Sequence, residues 1–423
     1  MDAVTKPKPP LFPGYSLAER DRRWQIARNL MDEEGLDALL VAGERNLDIG
    51  TPLLAPDAYL SNDRPGALLL FPRKRNPIAL VWSAQVVASH AIAELRGEGS
   101  WIAPGDMWVG RTPQRLAQLV GDCGLQKGRI GVIGIEGAGP GGESFISQLA
   151  WEGYTKALPD VTFVPVWKKF SHLMLIKSAE EIAALRQSAD AGERMCEALI
   201  RAARPGVNEA ELYATALTAS LEGGAVSSWL ILQTGKNNVC WGPPSWVFRP
   251  IRPRTVEDGD VILTELFPAY GLMETQQQLA IAVGNVDPIV EKCAAVAREG
   301  YEAGLAACRP GATFGQVSDA MVKPVNDVGG WFLTPQVHSI NPITVMSSRA
   351  AFGVENLVNY KSYPAIPMRP EQDRDGVLKA GMSFAFEVNC HLGDKRVNIG
   401  GTVLVTANGA EELNTLANHM QRV

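Results

Sequence analysis

The sequence predicts an α/β domain over residues 1–171, followed over residues 172–423 by an α+β domain that contains an internal duplication. Two observations predict this architecture. In the first part, short apolar runs alternate with helical stretches, as in a sheet covered by helices. In the second part, a succession of helix, Arg-Pro-Gly and helix occurs twice, at residues 202–217 and again around residues 307–312.

The first domain is expected to begin with a helix at residues 18–33 that leads to a buried strand at 36–43. Further apolar runs at residues 67–72, 78–83 and 130–135 have the length and composition of buried strands. Helical stretches separate these runs, so the pattern is typical of an α/β domain.

A long helix is predicted to begin after Ser178, at the start of the second domain. Glu181 follows Ser178 by three residues, and this spacing forms a capping box. Apolar residues then recur at helical spacing until the helix stops before the Arg-Pro-Gly at residues 204–206. The domain boundary is therefore placed just upstream of this helix, at about residue 172.

Each half of the duplication places a glutamate on an apolar strand. Glu265 lies six residues after Gly259, and Glu387 lies six residues after Gly381. A carboxylate within a hydrophobic strand costs several kcal/mol unless it is paired. Small and polar side chains share the predicted strand face of Glu387, as on a pocket floor. Two such carboxylates at matching places predict a site between the halves.

These features resemble the pita-bread fold of the superfamily that contains methionine aminopeptidase, aminopeptidase P, prolidase and creatinase. In chain order, four segments resemble the domain-linking helix, the strand before the substrate loop, a strand with an essential glutamate and the last strand of that family. These segments are 173–192, 230–238, 378–389 and 402–416. The resemblance covers residues 172–423 well, whereas the N-terminal half fits in outline only.

The metal ligands of the family are not all retained. Its peptidases bind two metal ions through two Asp, one His and two Glu. The positions that correspond here are Glu265, Gln276, His338, Glu387 and Gly400. A glutamine is neutral and a glycine has no side chain, whereas hard dinuclear sites need several anionic oxygens. The resemblance therefore implies a site without metal or another cofactor, as in creatinase.

Creatinase also resembles this chain in local detail. His338 lies eleven residues before Arg349, and the same spacing in creatinase separates the site histidine from an arginine that holds the substrate carboxylate. Residues 61–66 resemble the stretch that carries a second such arginine, here Arg64, which in creatinase reaches the neighbouring subunit's site. The resemblance thus implies a homodimer and a small carboxylate substrate. Trp241 stands nearest to creatinase's catalytic histidine, so creatine hydrolysis by the same route is not expected.

The other candidates are polar and aromatic residues. Glu274, Gln276 and Gln278 alternate onto one face of a strand, which is either a polar pocket wall or a solvated face. Trp241 is either an aromatic wall for a planar or cationic group or a core residue. His338 is a candidate acid or base, because imidazole titrates near neutral pH.

The leading hypothesis is a metal-independent hydrolase that cleaves a C–N bond other than a peptide bond in a small carboxylate-bearing substrate. Glu387 or Glu265, helped by His338, would activate water, and Arg349 would orient the substrate. One alternative is a lyase of the same fold that eliminates across a C–S or C–N bond. Another is a non-catalytic binding module with a degenerate peptidase site.

Composition argues against other classes of partner. The 40 Lys and Arg against 46 Asp and Glu give a net charge of −6, which disfavours nucleic acid and anionic membranes. No apolar run approaches the roughly 18 residues of a membrane span, and the polar N-terminus is unlike a signal peptide. The six cysteines are scattered and are expected to be reduced thiols. A cytoplasmic location is therefore expected.

Overall fold

The structure is a computed structural model, and it describes residues 13–43, 55–98, 100–136, 144–227, 229–239 and 241–423. A six-stranded sheet with flanking helices forms the first part of the chain. A larger region with two four-stranded sheets and four long helices follows. No helix within the described ranges is both long and apolar enough to cross a membrane.

The first sheet has the strand order β4-β3-β2-β1-β5-β6. Its strands are β1 Ala38–Ala42, β2 Leu68–Pro72, β3 Ile78–Val81, β4 Met107–Val109, β5 Arg129–Ile133 and β6 Thr162–Pro165. Its helices are α1 Leu17–Glu33, α2 Pro56–Ser61, α3 Ala84–Arg96, α4 Pro113–Asp122, α5 Gln148–Ala157 and α6 Trp167–Met174. The predicted helix and strands are confirmed to within a few residues.

Both faces of this sheet are buried, because the side chains of its central strand alternate between two hydrophobic cores. Leu39 and Val41 of β1 pack into one core, and Leu40 packs into the other with its alanine neighbours. The predicted domain boundary between residues 171 and 172 lies within α6. The position of the boundary stays a prediction.

The second region holds four long helices and twelve strands in the described part of the chain. The helices are α7 Ala179–Ala202, α8 Glu209–Glu222, α9 Pro288–Ala307 and α10 Phe314–Asp327. The strands are β7 Leu230–Gly235, β8 Val261–Leu266, β9 Ala269–Tyr270, β10 Met273–Glu274, β11 Ala280–Ala282, β12 Val337–Ser339, β13 Ser383–Phe386, β14 Val388–Leu392, β15 Lys395–Ile399, β16 Thr402–Thr406, β17 Gly409–Glu412 and β18 Gln421–Arg422.

The duplication predicted from the sequence is present in the fold. The helix pairs α7–α8 and α9–α10 are each interrupted at the Arg-Pro-Gly segments, and each pair is followed in the chain by strands of its own four-stranded sheet. The sheet orders are β18-β11-β8-β7 and β12-β13-β16-β17. An α/β domain followed by a pita-bread domain is thus confirmed as the fold class.

Buried ion pairs join α1 of the first domain to the start of α7. Arg23 contacts Glu19 at 2.7 Å and Glu181 at 3.2 Å, and all three side chains are almost fully buried. Glu181 also accepts the Ser178 backbone N–H at 2.9 Å, which completes the predicted capping box. One carboxylate therefore both caps the linking helix and holds the two domains together.

Candidate active site

A cavity of about 450 Å³ lies in the second domain, and both halves of the duplication contribute to its walls. Its polar lining consists mainly of three glutamates, a glutamine, a histidine and an arginine, and three aromatic rings form part of the remainder. These residues are Glu265, Glu274, Gln276, His338, Arg369 and Glu387, with Trp229, Trp241 and Phe267. The volume is within the range of about 300–1,000 Å³ that is usual for small-molecule sites.

Strand pairing brings Glu387 and His338 together at the floor of the cavity. In the β12–β13 pair, His338 stands opposite Ala385, two residues before Glu387. The His338 Nε2 atom lies 3.3 Å from Glu387 Oε1, and both side chains are buried.

The contacts of the imidazole ring define its protonation. The Ser339 carbonyl oxygen lies 2.9 Å from His338 Nδ1, so this nitrogen must carry the hydrogen that it donates. A contact between Nε2 and Glu387 then requires a second proton. Burial alone would lower the pKa of His338, but the hydrogen bond to Glu387 and its charge outweigh burial and raise the pKa. The proton between Nε2 and Oε1 is therefore shared by His338 and Glu387.

Glu265 approaches the same cavity from β8, and it is 3% exposed. Trp241 Nε1–H donates a hydrogen bond to Glu265 Oε2 at 2.9 Å. Burial, and then the negative charge of Glu387, raise the pKa of Glu265 to about 8. The cavity thus contains one carboxyl group that carries its proton at neutral pH, that of Glu265, beside a second carboxyl group, that of Glu387, which is paired with His338.

The segment from Glu274 to Gln278 forms a buried polar wall, so the alternative of a solvated strand face is wrong. All three side chains in question are at most 1% exposed. Gln276 Nε2–H donates to Glu274 Oε1 at 3.0 Å, and Gln278 Nε2–H donates to Glu387 Oε2 at 3.4 Å. Glu274 and Gln276 line the cavity, whereas Gln278 lies behind Glu387.

Arg349 is not among the residues that line the cavity. Its neighbour Ala350 lines the cavity, and because successive side chains of extended backbone point to opposite sides, Arg349 is directed away. Its guanidinium lies 4.8 Å from the centre of the Phe352 ring instead. The arginine at the cavity is Arg369, which is bridged to Ala350 through backbone hydrogen bonds of 3.0 and 3.1 Å.

Arg64 is exposed and lines a different cavity, of about 550 Å³, in the first domain. A single chain therefore does not bring Arg64 to the site of Glu387. Sequence reasoning also missed Trp229, which lines the cavity 4.8 Å from the Phe267 ring. The sequence feature that could have indicated Trp229 is its position directly before residues 230–238, which resemble the strand that precedes the family's substrate loop.

The family of the chain follows from a family-model comparison. The model of metallopeptidase family M24 matches residues 183–407, which is more than half of the chain. The chain belongs to family M24. Methionine aminopeptidase 1A of Arabidopsis thaliana is 24% identical over 241 residues, or 56% of this M24 chain and 57% of the relative. The chain thus spans little more than half the length of that relative.

Other similar proteins cover nearly the whole M24 chain. An uncharacterized hydrolase/peptidase of Sinorhizobium fredii is 23% identical over 94% of this chain and 96% of its own. The structure of the X-Pro aminopeptidase from Thermotoga maritima matches with a TM-score of 0.71 at 18% identity, over 95% of this chain and 99% of that chain. The structure of the Xaa-Pro dipeptidase from Bacillus anthracis matches with a TM-score of 0.72 at 18% identity, over 96% of this chain and 100% of that chain.

These comparisons support the M24 family and its two-domain fold. They do not support the narrower likeness to creatinase that local detail had implied. At identities of 18%, the solved structures establish a shared fold and leave the reaction to be argued from the cavity.

The family name implies metal, but the donor set does not fit a dinuclear site. The described ranges contain no group of three or more His, Cys, Asp or Glu that is arranged to hold a metal ion. Gln276 offers only a neutral amide. Gly400 has a φ of +146°, and a Cβ atom there would lie 1.8 Å from the Phe386 carbonyl oxygen. The backbone therefore leaves no room for a ligand side chain at position 400.

Proposed function

We propose that this M24 chain is a hydrolase that cleaves a C–N bond of a small carboxylate-bearing substrate without a resident metal ion. The observation that carries this proposal is the buried group of Glu387, His338 and Glu265. Glu387 lies 3.3 Å from His338, while burial keeps the Glu265 carboxyl group protonated. A protonated carboxyl group beside a second carboxyl group in one buried cavity is the arrangement that acid–base hydrolysis needs.

In the proposed reaction, Glu387 accepts a proton from water as the water oxygen bonds to the substrate carbon. Glu265 donates its proton to the nitrogen as the C–N bond breaks. Trp241, which donates to Glu265 at 2.9 Å, stabilises the carboxylate that this step creates. Transfer of the proton from Glu387 to Glu265, directly or through water, restores the starting state.

Two groups of substrate are candidates. The similar structures are named as an X-Pro aminopeptidase and an Xaa-Pro dipeptidase, so short peptides form one group. Amidino and ureido acids, in which the C–N bond is not a peptide bond, form the other and agree with the loss of metal-ligand positions. A lyase would use Glu387 alone as a base and would release an unsaturated product.

A screen of both groups between pH 6 and pH 10 tests the proposed function. We expect release of an amine or ammonia with uptake of water for at least one compound. Because the pKa of Glu265 is raised to about 8, its acid form is lost as the pH rises above that value, and kcat should then fall. An unsaturated product would favour the lyase, whereas a rate that keeps rising to pH 10 would exclude Glu265 as the acid.

We also propose that two chains pair so that Arg64 of one chain approaches the cavity of the other. The motivation is that Arg64 is exposed and lines a different cavity of its own chain from that of Glu387, and that the family resemblance implies such a pair. Sedimentation velocity at micromolar concentration should show a dimer, and Arg64→Ala should raise KM. A monomer would remove Arg64 from the site.

A further inference from the structure

A short segment, residues 339–341, joins two cavity residues that come from different halves of the duplication. The segment begins directly after His338, and the Ser339 carbonyl oxygen lies 2.9 Å from His338 Nδ1. The Asn341 side chain contacts the backbone of Glu274 on both sides. Its Oδ1 atom accepts the Glu274 N–H at 3.0 Å, and its Nδ2–H donates to the Glu274 carbonyl oxygen at 2.8 Å. The segment therefore determines how His338 and Glu274 lie relative to each other in the cavity.

The backbone of this segment is strained and depends on its surroundings. Asn341 has a φ of +56°, and Thr344, a little further on, has a φ of +54°. Left-handed backbone at residues other than glycine persists only where neighbouring contacts hold it. Two such contacts meet at the carbonyl oxygen of Ile340, a fully buried residue. Ser383 Oγ–H and Lys177 Nζ–H each donate to this oxygen at 3.0 Å.

Lys177 is a buried lysine to which the proposed reaction assigns no role. It is 5% exposed, and its Nζ atom also donates to the Leu175 carbonyl oxygen at 3.0 Å. Burial lowers the pKa of Lys177 to about 7. A neutral amine still has two N–H groups, so both carbonyl contacts persist in either protonation state. Because a buried amine is costly unless it is hydrogen-bonded, these two carbonyl groups are what keeps Lys177 in place.

Lys177 also lies at the junction between the two domains. It directly precedes Ser178, the N-cap of α7, and Glu181 in the first turn of that helix contacts Arg23 of the first domain at 3.2 Å. Ile343 makes a second connection, since it packs against a hydrophobic core of the first domain and lines the cavity. The first domain thus reaches the wall of the cavity at the strained segment and its neighbour.

We infer that Lys177 is a positioning residue that fixes His338 and Glu274 relative to each other. It acts through the Ile340 carbonyl oxygen, which it holds, and through the segment around that oxygen. In this way the junction between the domains determines the geometry of the cavity. The inference rests on the proposed function in that it treats His338 as part of a working site, but its first test needs no substrate.

Hydrogen–deuterium exchange of the intact protein, resolved to single amides by mass spectrometry, is the first test. The amide to follow is that of Glu274, whose N–H is bound to Asn341. Lys177→Met removes the donor to Ile340 at similar side-chain length. We expect the Glu274 amide to exchange about tenfold faster in this variant, because the segment that protects it loses a hydrogen bond. Unchanged exchange at Glu274 would overturn the inference.

Lys395→Met is the matched control for Lys177→Met. Lys395 is 9% exposed and donates to the Lys236 carbonyl oxygen at 3.1 Å, in a different loop. Its loss should therefore leave the Glu274 amide unchanged, whereas equal acceleration by both variants would show general destabilisation and contradict a specific role of Lys177. If Lys177→Met does not fold, Lys177→Gln replaces it, since glutamine is one bond shorter and loses the contact with Ile340.

Asn341→Gly tests the last link of the connection. Glycine accepts the left-handed backbone and removes only the side chain, so the Glu274 amide should exchange at least as fast as in Lys177→Met. Asn359→Gly is the matched control, because Asn359 has a similar φ of +59° and is exposed. An Asn341→Gly variant whose Glu274 amide stays protected would contradict the connection.

Kinetics on a substrate found in the screen distinguish positioning from a purely structural role. Lys177→Met should lower kcat about tenfold and change KM less than about threefold, since His338 is displaced while the aromatic wall of the cavity stays in place. A variant that melts at a lower temperature but keeps its kcat would show that Lys177 serves stability alone.

The two measurements separate this inference from the proposed function. Faster exchange at Glu274 in Lys177→Met, without hydrolysis of any compound by the unmodified protein, would contradict the hydrolase and leave the positioning role standing. Hydrolysis by the unmodified protein, with exchange and kcat unchanged in Lys177→Met, would contradict the positioning role and leave the hydrolase standing.

Discussion

Glu387→Gln is expected to lower kcat by about 10²–10⁴-fold, the usual contribution of a positioned acid or base, while the protein stays folded. Glutamine keeps the size and the hydrogen-bonding shape of the side chain but cannot accept a proton from water. The loss of charge also removes one of the two Glu387 interactions that raise the pKa of His338, whose hydrogen bond to Glu387 is the larger. Steady-state kinetics on a substrate found in the screen, with thermal melting of the same samples, measures both effects.

Glu411→Gln is the matched control for that variant. Glu411 is a partly exposed glutamate of the same domain that is paired with Arg186 at 2.7 Å and lies outside the cavity, so its substitution should leave kcat unchanged. Full activity in Glu387→Gln would show that the proton acceptor lies elsewhere, and Glu265 and Glu274 would then be the residues to test.

Gly400→Ala is expected to destabilise the protein by more than about 3 kcal/mol, since backbone strain and overpacking each cost roughly 1–3 kcal/mol. The added Cβ would meet the Phe386 carbonyl oxygen at 1.8 Å, and backbone atoms cannot move aside cheaply. Urea denaturation measures this loss of stability: the midpoint urea concentration should fall, while the slope of the unfolding free energy against urea concentration stays unchanged.

Gly409→Ala separates strain from the clash. Gly409 has a comparable φ of +126°, but the nearest atom to a Cβ there is the Cys308 carbonyl oxygen at 4.0 Å. We therefore expect Gly409→Ala to lower the free energy of unfolding by about 1–2 kcal/mol, because it introduces backbone strain without a clash. Equal stability of Gly400→Ala and Gly409→Ala would show that the clash with the Phe386 carbonyl oxygen does not exclude a side chain at position 400.

Local patterns were enough to predict most of the fold. The capping box at Ser178 and Glu181 marked the start of α7, because both hydrogen bonds form between residues three apart. The repeated Arg-Pro-Gly segments marked both helix breaks of the duplication. The matching glutamates Glu265 and Glu387 indicated a site between the halves, and the structure brings both to one cavity.

The arginines show where sequence spacing stops being informative. The distance of eleven residues from His338 to Arg349 does not determine which side of the chain the guanidinium occupies. Backbone pairing with Arg369 decides that, and Ala350 faces the cavity instead. Arg369 itself lies in an exposed stretch, residues 355–376, that has no apolar periodicity and gives no sequence signal.

The most direct test of the account is metal analysis of the purified protein together with its activity before and after dialysis against EDTA. The central claim is that Glu387, His338 and Glu265 carry the chemistry, since Gln276 and Gly400 replace two ligands. The account predicts well under one equivalent of Mn, Fe, Co or Zn per chain and an activity that EDTA does not change. Stoichiometric, tightly held metal whose removal abolishes activity and whose return restores it would contradict the account.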